Sequence, residues 1–268
     1  MDYTNNIKDA KRIVVKVGSS TLTHDNGKMN LRRIDRLVRT LCDLHNSGRE
    51  IVLVSSGAVA AGRGKTGFDQ PLDSLPCKQA MAAVGQSELM SLYARLFGEY
   101  GNTVAQILLT KDVIDMPVRR SNAQNTFNTL VEWGVIPIVN ENDTISTEEL
   151  QFLGFGDNDS LSAMVAELIG ADLLIILSDI DGLYDSDPKV NTDAKLIPVI
   201  EKIDDGVKML AGGAGSNRGT GGMITKLLAG EIATCAGINM IIMNGEDPYK
   251  MYDLLGGEAV GTLFTRQG

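Results

Sequence analysis

The chain has 268 residues, of which 43% are hydrophobic and 22% are charged, and its formal net charge is −9 at pH 7. A chain of this length forms one large domain or two small ones and buries roughly 70–75% of its unfolded surface. The negative charge argues against nucleic acid as the main partner, because binding to a phosphate backbone needs clustered lysine and arginine.

Cysteine and histidine usage narrows the class of protein further. The 3 cysteines and 2 histidines are too few and too scattered for a disulfide framework or a zinc site. We find no signal-peptide pattern, and no apolar run reaches the ~20 residues that a membrane helix needs. We therefore expect a cytoplasmic protein with no membrane partner.

Apolar strands alternate with helical patterns along most of the chain. In order, the pattern predicts strands at 12–17, 51–54, 104–109, 135–139, 173–177 and 240–243, and helices at 31–44, 75–100, 123–133, 159–169 and from about Gly222 onward. Buried-type strands between helices are typical of an α/β fold with a mainly parallel central sheet in a three-layer α/β/α sandwich. A functional seam is expected near residue 170.

Polar or glycine-rich sequence follows five of the predicted strands. The five segments are 16–20, 55–58, 140–143, 178–179 and 244–245. Ligands of parallel sheets bind beyond the C-terminal ends of the strands, so we expect these segments to converge on one site. Lys16 interrupts an otherwise buried strand, and its ammonium group must pair, reach water or meet a ligand. An edge strand with one wet face is the alternative.

A glycine-rich segment, Gly219–Lys226, opens directly into a helix in which Ile224 and Leu228 begin an apolar repeat. The free N–H groups of such a helix start attract anions. Lys226 near this start opposes the helix dipole by roughly 0.3–1 kcal/mol, a penalty that a bound phosphate reverses. The segment is neither a Walker A loop, since Thr225 precedes Lys226, nor a dinucleotide fingerprint by glycine spacing. It predicts phosphate binding of another design, with a flexible surface loop as the alternative.

Acidic and amide residues precede another predicted helix, at Gly156–Ser160. Helix capping explains one of them, and the others can orient lysines or hold magnesium. Asn142 and Asp143 are either ordinary turn residues or ligand contacts.

The chain resembles the amino acid kinase family and, within it, the branch that phosphorylates glutamate. The matching segments are 14–20, 55–62, 78–80 with 84–86, 140–143, 156–159 with 161–163, and 219–226. The resemblance implies transfer of the γ-phosphoryl group of ATP, with Mg²⁺, to the side-chain carboxylate of L-glutamate. The product is γ-glutamyl phosphate, in the first step of proline biosynthesis. Many members carry a C-terminal module of a type linked to RNA-binding proteins, and this sequence is similar to a short form without it.

The resemblance also implies roles for single residues. Lys16 and Lys226 would flank the transferring group, with Asp159 holding both lysines in place and Mg²⁺ bridging phosphate oxygens. The glutamate contacts would be Ser56, Gly57, Asp143 and Asn158, with Asp143 receiving the ammonium group. The ATP contacts would be Lys16, Gly18, Ser19, Ser178, Asp179, Thr220, Gly221, Gly222, Met223, Ile224, Thr225 and Lys226. No protein ligand to a metal is assigned, and no chemistry is assigned to Lys78 or Gln86.

Domain organisation and partners follow from the same resemblance. We expect a single domain over 1–268, with a glutamate lobe at 1–170 and an ATP lobe at 171–268. Expected partners are glutamate, ATP, proline as a feedback inhibitor, further copies in a homodimer or homotetramer, and the downstream reductase. The alternatives are a sibling kinase acting on another small acid or nucleotide, and a non-catalytic sensor on the same fold.

Overall fold

The computed structural model describes residues 3–24, 27–110, 113, 115–145, 158–188, 190–211 and 222–267. The strands are β1 (Arg12–Val17), β2 (Glu50–Ser55), β3 (Val104–Leu109), β4 (Ile136–Glu141), β5 (Leu173–Ser178), β6 (Val199–Ile200), β7 (Asn239–Asn244) and β8 (Thr262–Phe264). The helices are α1 (Tyr3–Lys8), α2 (Ser19–Leu22), α3 (Leu31–Asn46), α4 (Ala58–Thr66), α5 (Leu75–Glu99), α6 (Pro117–Glu132), α7 (Asn158–Ile169), α8 (Asp205–Ala211), α9 (Met223–Cys235) and α10 (Lys250–Gly256).

The strands form one eight-stranded sheet in the order β3-β4-β2-β1-β5-β7-β8-β6. From β3 to β7 every neighbouring pair is parallel, and among the described pairings between strands of the sheet only β7–β8 is antiparallel. Val15 in β1 lies between Leu53 of β2 and Ile175 of β5. The central strands read as continuous apolar runs because both faces of the sheet are covered by helices.

Two apolar cores lie on the two faces of the sheet. One contains Leu37 of α3 and Phe97 of α5, and the other contains Phe127 of α6 and Ala229 of α9. This arrangement confirms the predicted three-layer α/β/α sandwich. The division into lobes at residue 170 stays a prediction.

The side chain of Lys16 lies on the second of these faces. Ile13, Val15 and Val17 belong to the first core, whereas Val14 belongs to the second. Successive side chains of a strand alternate between faces, so Lys16 shares the face of Val14, where α7 and α9 pack.

Helix α9 begins where the sequence predicts, after Gly222, but a different face of it is buried. Ile224 and Leu228 are exposed by 52% and 36%, whereas Leu227, Ala229 and Ala233 pack in the core. Small residues form the packed face because α9 lies directly against α7 and β7. The periodicity of the larger apolar residues therefore predicted where the helix lies in the sequence, but it did not predict which face of the helix is buried.

Helix α6 begins at Pro117, six residues before the predicted start at 123. Its first turns contain exposed residues such as Val118, and Phe127 is its fully buried side chain. A helix with so few buried positions has almost no apolar stripe to detect, although proline in the first turn is a start signal. Among the described residues, no helix is both long enough and apolar enough to cross a membrane.

Candidate active site

Two lysines share one carboxylate at the C-terminal edge of the sheet. Nζ of Lys16 lies 2.7 Å from Oδ1 of Asp159, and Nζ of Lys226 lies 3.1 Å from Oδ2. The side chain of Asp159 is 0% exposed, and those of Lys16 and Lys226 are 4% and 7% exposed. The structure therefore brings together the two lysines predicted to flank the transferring group and the aspartate predicted to hold them.

The burial of these groups explains why they must lie together. An unpaired charge in a protein interior is strongly disfavoured, and loss of its partner leaves a large desolvation cost. Asp159 lies in the first turn of α7, where the helix dipole also favours a carboxylate. Two ammonium groups on one carboxylate leave one net positive charge, which suits a site for a polyanion.

Thr225 joins this cluster to the start of α9. Its hydroxyl group donates to Oδ2 of Asp159 at 3.1 Å and lies 2.8 Å from the carbonyl oxygen of Gly222. Gly222 caps the helix in an extended conformation, and Met223 and Ile224 form the first turn. The first turn of α9 thus lies beside the two lysines, while Thr220 and Gly221 lie outside the described residues.

The turns after β1 and β5 border the same place. A Cβ atom at Gly18 would lie 3.6 Å from Nζ of Lys16, so glycine keeps the space beside this ammonium group open. Ser19 begins α2 directly after it. Ser178 ends β5, where its hydroxyl group donates to Oδ1 of Asp179 at 3.2 Å. Adjacent parallel strands place these predicted ATP contacts at one sheet edge.

The predicted glutamate contacts lie on the β2 and β4 side of the lysines. Nδ2 of Asn158 donates to Oγ of Ser56 at 3.0 Å and to Oδ1 of Asn140 at 2.8 Å. Gly57 has φ +105° and opens the turn between β2 and α4, a conformation that favours glycine. Ser56, Gly57 and Asn158 therefore lie together, and Asp157 lies outside the described residues.

Asp143 follows β4 in the same strand-end region. Burial raises the pKa of its carboxyl group from 3.8 to about 6. A half-buried carboxylate of this kind gains from a cationic partner, because a positive charge offsets the cost of desolvation. Asp143 is therefore suited to bind an ammonium group.

Sequence analysis gave no role to two residues that the structure connects to this site. Asn140 and Gln86 are buried polar residues, and Nδ2 of Asn140 donates to Oε1 of Gln86 at 2.9 Å. Asn140 could have been predicted to lie at the site, because it is a polar residue near the end of a buried strand. Gln86 lies in a long helix with a mixed pattern, so its connection depends on packing that the sequence does not display.

Within the described part of the chain, no group of three or more His, Cys, Asp or Glu side chains is arranged to hold a metal ion. Both oxygens of Asp159 contact ammonium groups. The carboxylate of Asp159 therefore pairs with the two lysine ammonium groups, and we do not propose it as a metal ligand.

Residues 11–244 match the sequence model of the Amino acid kinase family, and the chain belongs to that family. The chain is 56% identical over 259 residues to the glutamate 5-kinase of Clostridium perfringens, with 96% of each chain covered. It is 52% identical to the glutamate 5-kinase of Listeria innocua, with 96% of this chain and 94% of that one covered. The resemblance seen in the sequence motifs is confirmed.

Solved structures of more distant proteins share the fold. An isopentenyl phosphate kinase superposes with a TM-score of 0.64 at 17% identity, over 95% of this chain and 100% of that one. A carbamate kinase from Giardia lamblia, bound to AMP-PNP, gives a TM-score of 0.66 at 16% identity, over 97% and 100%. At such identities the likeness shows the fold alone and says nothing of the substrate.

Proposed function

We propose that this protein transfers the γ-phosphoryl group of ATP to the γ-carboxylate of L-glutamate and forms γ-glutamyl phosphate, the first step of proline biosynthesis. The observation that carries the proposal is the contact of Lys16 and Lys226 with the single carboxylate of Asp159. The choice of glutamate as acceptor rests on the high identity to the glutamate 5-kinases of two bacteria over nearly the whole chain.

The reaction brings two anions together, the γ-carboxylate of glutamate and the γ-phosphate of ATP. The site places cationic side chains beside them. Two unit charges ~4 Å apart repel by about 4 kcal/mol at an effective dielectric constant of ~20. Two ammonium groups beside the phosphoryl group offset this repulsion and stabilise the charge that develops in transit. Asp159 orients both lysines. It does not act as a base, because the γ-carboxylate of glutamate is already ionised at neutral pH.

The acceptor side of the site contains both a hydroxyl group and an acidic group. We assign Ser56, Gly57, Asp143 and Asn158 to glutamate, with the carboxylate of Asp143 binding the α-ammonium group. The raised pKa of Asp143 supports this role, since its ionised form is stabilised when a cation arrives. Positioning of the acceptor against the phosphoryl group then supplies much of the rate.

The donor side consists of strand ends and the start of α9. We assign ATP to Lys16, Gly18, Ser19, Ser178 and Asp179, and to residues 220–226. The free N–H groups at the start of α9 favour phosphate binding. Mg²⁺ bound with ATP would neutralise part of the phosphate charge, and we assign no residue of the chain to hold it.

Further parts of the proposal concern partners and organisation. We propose that proline inhibits the enzyme by feedback and that the chain forms a homodimer or homotetramer in the cytoplasm. We also propose that the labile acyl phosphate passes to the downstream reductase. We also keep a glutamate lobe at 1–170 and an ATP lobe at 171–268, since Asn158 and Ser56 lie in the first range and α9 lies in the second.

The test is formation of γ-glutamyl hydroxamate from glutamate, ATP, Mg²⁺ and hydroxylamine, with and without proline. Glutamate should give the hydroxamate, whereas aspartate, N-acetylglutamate and UMP should not be phosphorylated. Phosphorylation of one of those compounds in place of glutamate would assign the chain to a sibling kinase. Binding of ATP and glutamate without any turnover would indicate a sensor.

A further inference from the structure

A chain of buried side-chain hydrogen bonds leads from helix α5 to the acceptor side of the site. Gln86 accepts from Asn140 at 2.9 Å, Asn140 accepts from Asn158 at 2.8 Å, and Asn158 donates to Ser56 at 3.0 Å. Gln86, Asn140 and Asn158 are only 8%, 3% and 6% exposed. The four side chains come from α5, β4, α7 and the turn after β2, so the chain joins four separate elements.

The direction of every bond in this chain follows from one backbone group. The N–H of Glu141 donates to Oδ1 of Asn140 at 2.9 Å, and a backbone N–H cannot act as an acceptor. The amide of Asn140 therefore donates from Nδ2 to Gln86, and Gln86 must accept with its side-chain carbonyl oxygen. Asn158 must in turn present Nδ2 to Oδ1 of Asn140.

This direction sets which polar atoms remain for a substrate. Both hydrogens of Nδ2 in Asn158 are used, by Asn140 and by Ser56, so its Oδ1 is the atom that it can present to a donor. Oγ of Ser56 accepts from Asn158, so its own proton can be donated to an acceptor. An amino acid brings both complements, an ammonium donor and a carboxylate acceptor.

We propose that Gln86 is a positioning residue for the acceptor substrate: it holds the amide of Asn140, and through it fixes Asn158 as an acceptor and Ser56 as a donor toward an amino acid. The inference rests on the proposed function and adds a residue that touches no substrate. It assigns selectivity for the α-ammonium group to Oδ1 of Asn158 together with Asp143.

The backbone beside Gln86 is held firmly enough for this task. A Cβ atom at Gly85 would lie 1.6 Å from the carbonyl oxygen of Ala58, so α5 lies directly against the first turn of α4. That turn follows Ser56 and Gly57 immediately. The backbone that carries Gln86 therefore packs closely against the segment that follows the serine at the other end of the hydrogen-bond chain.

The test compares Gln86→Met, which has a similar length and no strong acceptor, with Gln86→Glu, which keeps an acceptor oxygen. Ser87→Met is the matched control, because it introduces the same residue at the next, exposed position of α5. Affinity is measured by calorimetry for L-glutamate and for glutarate, its analogue without the ammonium group. KM values for glutamate and ATP and the melting temperature complete the set.

We expect Gln86→Met to raise Kd and KM for glutamate roughly 5- to 20-fold, the effect of one or two lost hydrogen bonds, with KM for ATP changed less than about 2-fold. The preference for glutamate over glutarate should fall by a similar factor. Gln86→Glu should recover most of the affinity, and Ser87→Met should match the wild type.

Three results would overturn the inference. They are an unchanged preference over glutarate in Gln86→Met, equal losses for glutamate and ATP that follow the melting temperature, and a loss in Gln86→Glu as large as in Gln86→Met. The proposed function is judged separately, by turnover of glutamate in the wild type. A wild type that phosphorylates glutamate while Gln86→Met keeps its selectivity refutes the positioning role alone.

Discussion

Lys16 and Lys226 lie near opposite ends of the chain, and their ammonium groups contact the two different oxygens of the same carboxylate, at 2.7 Å and 3.1 Å. Asp159 therefore determines the spacing of the two cations. In the proposed reaction, a phosphoryl group between them would meet positive charge on both sides.

The first prediction concerns these two lysines. Lys16→Ala or Lys226→Ala should lower kcat for hydroxamate formation by a factor on the order of 100 or more, because each removes a cation from the developing charge. Lys208→Ala is the control, since Lys208 is exposed, forms a surface ion pair with Glu231 and is not among the residues assigned to the site. Full turnover in either site variant would remove that lysine from the mechanism.

The second prediction concerns Asp159→Asn. The neutral amide leaves two buried ammonium groups without their shared anion, so the free energy of unfolding should fall by about 3 kcal/mol or more. The phosphates of ATP supply negative charge at the same place, and ATP should therefore raise the melting temperature more in the variant than in the wild type. Thermal unfolding with and without ATP checks this, and an equal rise in both proteins would contradict it.

The third prediction is a pH dependence of glutamate affinity. Burial raises the pKa of Asp143 to about 6, so the carboxylate that binds the substrate ammonium group is lost as the pH falls below that value. KM for glutamate should then rise up to about tenfold per pH unit between pH 6 and 5, while the substrate's own γ-carboxylate stays ionised. Kinetics of Asp143→Asn should show a high KM that no longer changes over this range.

The fourth prediction concerns stability at the same residue. The folded state binds the proton of Asp143 more tightly than the unfolded state, so its contribution to stability is complete below pH 3.8 and is lost as the pH rises through about 6. Asp143→Asn should therefore increase the free energy of unfolding at pH 8, by up to about 3 kcal/mol, and change it little at low pH. Urea unfolding at both pH values checks the sign, and destabilisation at pH 8 would refute it.

The fifth prediction uses two glycines of α5. Gly85→Ala places a Cβ atom 1.6 Å from the carbonyl oxygen of Ala58, so we expect a loss of about 3 kcal/mol or more and a raised KM for glutamate. Gly98 lies in the same helix, and a Cβ atom there would meet nothing within 4 Å. Gly98→Ala should therefore stabilise the protein by up to about 1 kcal/mol. Urea unfolding compares the two, and a tolerated Gly85→Ala would contradict the close contact of α4 and α5.

Sequence patterns predicted the bounds of a strand or helix correctly where that element contains a clear apolar pattern of its own. The strands β1 and β3 have the predicted bounds, and α7 begins one residue before its predicted start, because each has a continuous apolar run or a strong helical repeat. The elements α1, α2, α4, α8, α10, β6 and β8, each of nine residues or fewer, were not predicted. Their few residues contain too little periodicity to distinguish them from loops.

By itself the sequence predicted the alternation of the longer strands and helices, the polar residues at the strand ends, and Lys16, Lys226 and Asp159 as site residues. Only the tertiary structure decided which face of α9 is buried, which oxygen of Asp159 each lysine contacts, and that Gln86 connects to Ser56 through two asparagines. The physical reason is that periodicity arises within a single element. A side-chain hydrogen bond between elements depends on register, alternation across the sheet and the distance at which two helices pack, and no local pattern contains these quantities.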